Sequence, residues 1–206
     1  MAHVGMKYPV AARLLTSVSA ATATYAAGFV VGKAIGFTGT PANTDVVLYA
    51  DDGKAETDKA MQNLGTSLNV DDLSLKVQSD LLGHTYTAPS AATGNDPAVP
   101  EGMAVNANDV APYFGMGFYK RRRKNNVTSY TAIWLYQVQN SNPTENAATK
   151  GETTEFQTDT IEGTAYPLDD GAMYEKKVFT TEAAAKEWLD GKAGITNTGS
   201  GAGGNT

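Results

Sequence analysis

The residues able to do acid–base or metal chemistry are few. His3 and His84 are the only histidines. Neither has a serine or a metal-ligand partner at a recognisable spacing, so each reads as a surface or loop residue. Three acidic doublets, Asp51-Asp52, Asp71-Asp72 and Asp169-Asp170, come next. Two precede glycine, which marks a turn, and Asp71-Asp72 precedes a helical pattern, which marks a cap. The paired carboxyls of glycoside hydrolysis converge in space and are not read from adjacent positions. No doublet heads the alternating acidic pattern closed by Glu that a calcium loop requires. Gly199, Gly201 and Gly204 satisfy a GxGxxG spacing, but no helix follows to offer its N-terminus to a phosphate. The absence of cysteine removes disulfides, thiol nucleophiles and thiolate metal sites together. The expectation is a protein that is not an enzyme and holds no metal or cofactor.

The charge pattern has one pronounced feature, the run Lys120-Arg121-Arg122-Arg123-Lys124. It reads in three ways: against nucleic acid, against an acidic patch on a neighbouring copy, or as a solvated hairpin end where basic residues discourage edge pairing. The chain as a whole carries a formal charge of −6, which argues against a protein built to grip phosphates. It is compatible with one past which DNA slides.

The elements that must position these residues are mostly β. The 206 residues suit one domain with arms, and 21 glycines with only 18% charged residues favour strands and turns over a helix bundle. Residues 7–38 read as one or two strands around Phe29, Val30 and Val31, with a loop from Thr40-Pro41. Residues 45–49 read as a short strand, Asp51-Asp52-Gly53 as a turn, 54–59 as its polar return and 66–70 as extended again. Residues 71–83 alternate like a strand, yet Val70, Leu73, Val77 and Leu81 share a helical stripe, Asp71, Asp72 and Ser74 are candidate caps and Gly83 is a stop. A helix is favoured, with Leu75 and Leu82 forming a second apolar seam open to a neighbouring subunit. Residues 113–124 and 128–139 read as a hairpin turning at Asn125-Asn126. Tyr130, Ala132, Trp134, Tyr136 and Val138 face one side of the return strand, Ile133 and Leu135 the other, so both sides are covered. A Thr-rich strand is expected over 152–165, and a helix over 181–189 with a Glu182–Lys186 pair, closed by Gly191. The domain is placed at 1–192, and 193–206 is a flexible Gly-rich tail. Residues 6–28 imitate a signal peptide, but Arg13 and five hydroxyl residues dilute the stretch, and no run spans a membrane.

The block Val47-Leu48-Tyr49-Ala50-Asp51-Asp52 resembles a motif of the major tail tube proteins of long-tailed phages (siphoviruses) of Gram-positive bacteria. So do Val70-Asp71-Asp72-Leu73-Ser74 through Leu81-Leu82-Gly83-His84, and residues 113–123 running into Ala132-Ile133-Trp134-Leu135-Tyr136. Residues 5–9, 150–158 and Ile161-Glu162-Gly163-Thr164-Ala165 are similar to that family as well. The likeness runs in the same order over roughly residues 1–190, excludes the Gly-rich end, and carries a more basic run at 120–124 than the family pattern. It implies two packed antiparallel sheets in a sandwich or barrel-like fold, with a flanking helix and extended arms. It also implies hexameric rings whose strands join into a barrel, stacked into a tube. The implied partners are other copies, a tape-measure protein, tail terminator and distal tail proteins, and DNA in transit without specific binding. The implied place is the virion, after assembly in the host cytoplasm. Candidate inter-subunit contacts are Tyr49, Asp51, Asp52, Leu75 and Leu82, within the N-terminal segment, residues 42–61, the helix seam and residues 140–151. The alternatives are a secretion-system tube ring, a surface fibre subunit, or a glycan-binding or hydrolytic β-sandwich.

Overall fold

The computed structural model describes residues 2–26, 28–50, 53–93, 97–143 and 158–196, with backbone alone for 2–4, 45–50 and 53–58. In chain order the elements are β1 (Ala2–Thr16), β2 (Thr24–Tyr25), β3 (Phe29–Val30), β4 (Ala34–Ala50), β5 (Gly53–Val70) and α1 (Leu75–Leu82). There follow β6 (Thr85–Thr87), β7 (Gly102–Ala104), β8 (Tyr113–Lys124), β9 (Val127–Asn140), β10 (Asp159–Ala165), β11 (Tyr174–Phe179) and α2 (Glu182–Ala193). The fold is mainly β, and the described residues form two antiparallel sheets: one of nine strands and a small one of β6 and β7.

The β8–β9 hairpin is its centre. Asn125 and Asn126 turn it with φ of 48° and 62°. Asparagine tolerates the left-handed region, and two such residues give the turn whose twist matches the flanking strands. Six residues of β8 in succession, Phe114–Tyr119, are buried, as are Thr131–Tyr136 of β9. Both faces of the hairpin are therefore covered, and the aromatic and β-branched content of these strands is what fills them. One face assignment is corrected. Phe114 pairs with Val138 but Met116 with Leu135, so β9 carries an extra residue there. That bulge swings Val138 onto the Leu135 side.

Beyond β9 the sheet divides. Along Tyr130–Leu135, β9 pairs with β11, whereas Val138–Asn140 pairs with β10, which leads on to β5 and β4. In a flat sheet β4 would lie about 19 Å from β8, at roughly 4.8 Å per strand. Instead the rings of Phe37 in β4 and Phe118 in β8 have centroids 4.6 Å apart. The β10–β5–β4 wing has thus folded across the β1–β8–β9 wing. Between the wings lie Leu64, Leu68, Phe114, Met116, Leu135 and Ile161, with Leu81 and Leu82 of α1 closing one side.

Helix α2 covers the outer face of β8 and β9. Thr181 caps its N-terminus by accepting from Ala184 N–H, and Gly194 ends it at φ 65°. Gly191 lies inside the helix, one turn short of the true stop. The expected Glu182–Lys186 pair gives way to tertiary partners: Glu182 accepts from Tyr119 Oη at 2.6 Å and Lys7 Nζ at 3.1 Å. Lys186 Nζ sits 4.8 Å from the centre of the Tyr8 ring. Under α2 the indole of Trp134 lies against β8, and only glycine there admits it. A Cβ on Gly115 would collide with Trp134 and Tyr25, and one on Gly117 would come within 2.5 Å of Trp134 Cε3.

Two further expectations are corrected. Thr40-Pro41 does not open a loop, because β4 runs through it, with Pro41 opposite Leu64. Proline lacks a donor, and β4 is the terminal strand of its sheet path, where that loss is tolerated. The short strand and polar return are the outer part of this one long hairpin, its turn at 51–52 lying outside the described residues. Helix α1 forms as favoured, but Ser74 alone caps it, accepting from Val77 N–H. Asp71 instead holds Lys33 through its N–H at 2.8 Å and its Nζ at 3.3 Å. The first part of the Thr-rich strand, 152–157, lies outside the described residues.

Candidate assembly interface

The β4–β5 hairpin outgrows the core that supports its base. Among the described residues, Leu64 is the last of its side chains packed between the wings. Pairing nevertheless continues from Pro41–Leu64 to Ala50–Gly53, a ribbon roughly 30 Å long at about 3.3 Å per residue. On the near part of that ribbon Pro41, Ala42, Asn43, Ala60, Met61 and Gln62 are exposed. Along its other edge β4 pairs with no strand among the described residues, and β11 likewise pairs with β9 alone. Two-stranded ribbons are marginal in water, and open edges invite further strands. Tyr49 lies in the ribbon, opposite Lys54. Asp51 and Asp52 lie outside the described residues, as do residues 144–151 of the expected contact loop.

At the base of the ribbon an open groove of about 450 Å³ separates the two wings. Phe37, Met61 and Leu64 form one wall, Phe118, Ile133 and Leu135 the other, and Lys120 and Lys176 stand in it. Neither lysine has an ion pair among the described residues. The groove arises where the sheet divides at β9, which is why no local pattern announced it.

The basic run does not form one patch. It occupies the last part of β8, between β1 and β9, so successive side chains alternate in direction. Lys120, Arg122 and Lys124 share the groove face with Phe118. Arg121 and Arg123 share the α2 face with Tyr119, and Arg121 adds its charge near Glu182. Arg123 donates to Asn126 Oδ1 at 3.2 Å across the turn.

The second helical seam is corrected. Leu82 is 3% exposed and belongs to the core between the wings, because the last turn of α1 is driven into that core beside Leu81. Leu75, on the first turn, is 37% exposed and remains a surface contact candidate.

His84 is a loop residue, as expected, but not a surface one. Its side chain is 4% exposed. Nδ1 meets Asp109 Oδ2 at 2.8 Å and Nε2 meets Asn142 Oδ1 at 3.0 Å. The contact clasps the end of α1 to the segments before β8 and after β9. The Asn106 N–H, and then His84, hold the Asp109 carboxyl below its usual range. Asp170 is similarly lowered by the N–H groups of Ala20 and Ala172, so the Asp169-Asp170 doublet is a turn. Among the described residues, no three His, Cys, Asp or Glu side chains are grouped to hold a metal ion. No helix there is long and apolar enough to cross a membrane.

Glu175 of β11, which the sequence did not single out, anchors α2. Its carboxylate accepts from Lys192 and Lys177 at 3.0 Å each and from Tyr136 Oη at 2.9 Å. Burial pushes its pKa up, but these three donors outweigh burial and hold it at about 2. An acid with a depressed folded-state pKa stabilises above its unfolded value and loses that contribution as pH falls through the folded one. Glu175→Gln is therefore expected to cost about 1–2 kcal/mol at pH 7, allowing for solvent screening of a partly exposed group. The difference from wild type should shrink between about pH 4.5 and 2, as read by urea unfolding across that range. A constant difference would show that the carboxylate's charge is not what matters.

No protein-family model matches the chain, and neither does any curated protein.

Proposed function

We propose that this protein is a self-assembling structural subunit of a phage tail tube, stacked as rings around a channel through which DNA passes. The reading rests on the ordered likeness of its motifs to the major tail tube proteins. The observation that best supports it is the β4–β5 ribbon, a hairpin whose outer edge pairs with no strand among the described residues and that a neighbouring copy can cover. A closed ring removes such edges for every subunit at once, and repetition of one interface generates a tube. The net charge of −6 suits a conduit, since repulsion from phosphates keeps DNA moving rather than bound.

The test is electron microscopy of the purified protein at rising concentration. Tubes of one uniform diameter are expected. A protein that stays monomeric throughout would overturn the proposal, and isolated rings that never stack would move the reading to a secretion-system ring.

A further inference from the structure

We propose that the groove between the wings receives the β4–β5 hairpin tip of a second copy, an inference that rests on the tube-subunit reading and names its contact. Three observations converge on this occupant.

The first is charge. Residues 45–58 contain Asp45, Asp51, Asp52, Glu56 and Asp58 against Lys54 alone. The groove instead presents Lys120 and Lys176, which no ion pair engages among the described residues. Opposed potentials of this kind steer encounter and fix register. The second is apolar content. Val46, Val47, Leu48 and Tyr49 precede the acidic turn in sequence, and the groove walls offer Phe37, Met61, Phe118, Ile133 and Leu135. A segment both acidic and apolar matches a groove both basic and apolar.

The third is reach, which decides between a chain's own tip and that of a neighbour. Phe37, Pro41, Met61 and Leu64 line the groove and are themselves the root of the ribbon. To enter its own groove the ribbon would have to double back on its root, breaking pairs that extend, past one extra residue of β5 at Gln62 and another at Ala55, to Ala50–Gly53. A ribbon of roughly 30 Å is long enough to reach another copy. The contact is head-to-tail, one copy's tip to the next copy's groove. Such contacts propagate or close into rings rather than stopping at a dimer.

Charge reversal tests the contact. One variant carries Lys120→Glu and Lys176→Glu, the other Asp51→Lys and Asp52→Lys. Lys120 and Lys176 line the open groove, Asp51 and Asp52 follow the last residue of β4 in sequence, and unchanged thermal unfolding verifies that each variant folds. By sedimentation velocity, each variant alone should need about a tenfold or higher concentration to associate than wild type. An equimolar mixture should recover association, because each reversed groove then meets a reversed tip and each native groove a native tip. A single chain carrying all four changes should recover it too.

Variants that associate like wild type overturn the proposal, as does a mixture of folded variants that fails to recover, or a wild-type chain that never associates. The outcomes also separate this contact from the tube reading. Uniform tubes that ignore the charge reversals leave the subunit role standing and remove the groove contact. Rescue by mixing without any tube in the microscope keeps the contact and removes the tube.

Discussion

Replacing Trp134 by Ala is expected to lower the unfolding free energy by about 3–5 kcal/mol, the largest single-residue loss in the molecule. Trp134 has no exposed surface and sits between β8 and α2. Tyr25 meets its ring edge-on with centroids 5.2 Å apart, and Trp134 Nε1 donates to Tyr25 Oη at 3.3 Å. Tyr25 in turn donates to the Tyr136 carbonyl at 2.9 Å, and burial pushes its phenol up to about 12. Removing the indole empties a slot that Gly115 and Gly117 cannot refill, since neither has a side chain to relax into it. The penalty is therefore transfer plus cavity, and little of it should be recovered by collapse. Urea unfolding with an unchanged slope measures it. A loss below about 1.5 kcal/mol would show that α2 settles onto the sheet without its central ring.

Leu82 and Leu75 should separate cleanly, though the sequence placed them on one seam. Leu82→Ala is expected to cost about 2–4 kcal/mol, because a buried leucine next to Leu81 cannot be trimmed without leaving a void. Leu75→Asp should change stability by no more than about 1 kcal/mol, its side chain being 37% exposed on the first turn of the helix. Denaturant unfolding of both variants checks the pair. It also shows which substitution can address assembly: loss of tubes in Leu75→Asp would report an interface, whereas loss in a charged Leu82 variant would report only a damaged core. Comparable costs at the two positions would mean that the first turn of α1 is better packed than its exposure implies.

The local parts of this fold were legible because each has a short-range cause. The Asn125-Asn126 turn, the two-sided burial of Ile133–Leu135, and the Ser74 and Gly83 caps all follow from neighbours within a few residues. What escaped depends on distant partners. Pro41 suggests a break to any local reading, yet the strand continues because β5 supplies its pairs and only an edge position can spare the donor. Leu82 sits opposite the main stripe of its helix and is buried anyway, since the other wing wraps round the end of α1. Val138 changes face through one extra residue opposite β8, a slip that alternation cannot register. The same holds for the candidate site. The basic run was visible as composition, but its division between two faces, its proximity to Lys176 and the groove itself require the sheet to divide at β9. Glu175 carries no local signal, because Lys192 reaches it from the last turn of the twelve-residue helix α2.

The pairing of β1 with β8 also has a kinetic consequence. The β4–β5 and β8–β9 hairpins join neighbours in the chain, whereas Arg13 meets Phe114 only after a loop of roughly a hundred residues is closed. Such pairing is slow relative to hairpin formation. During synthesis the first strand must therefore wait until most of the chain has emerged. The Ala2–Val4 segment, which pairs with Arg121–Arg123, docks only once β8 has emerged, so the basic end of that strand gains this neighbour after the long loop closes. On the proposed tube-subunit reading, a nascent chain that ends before β8 lacks the β1–β8 pairing on which a neighbour could build.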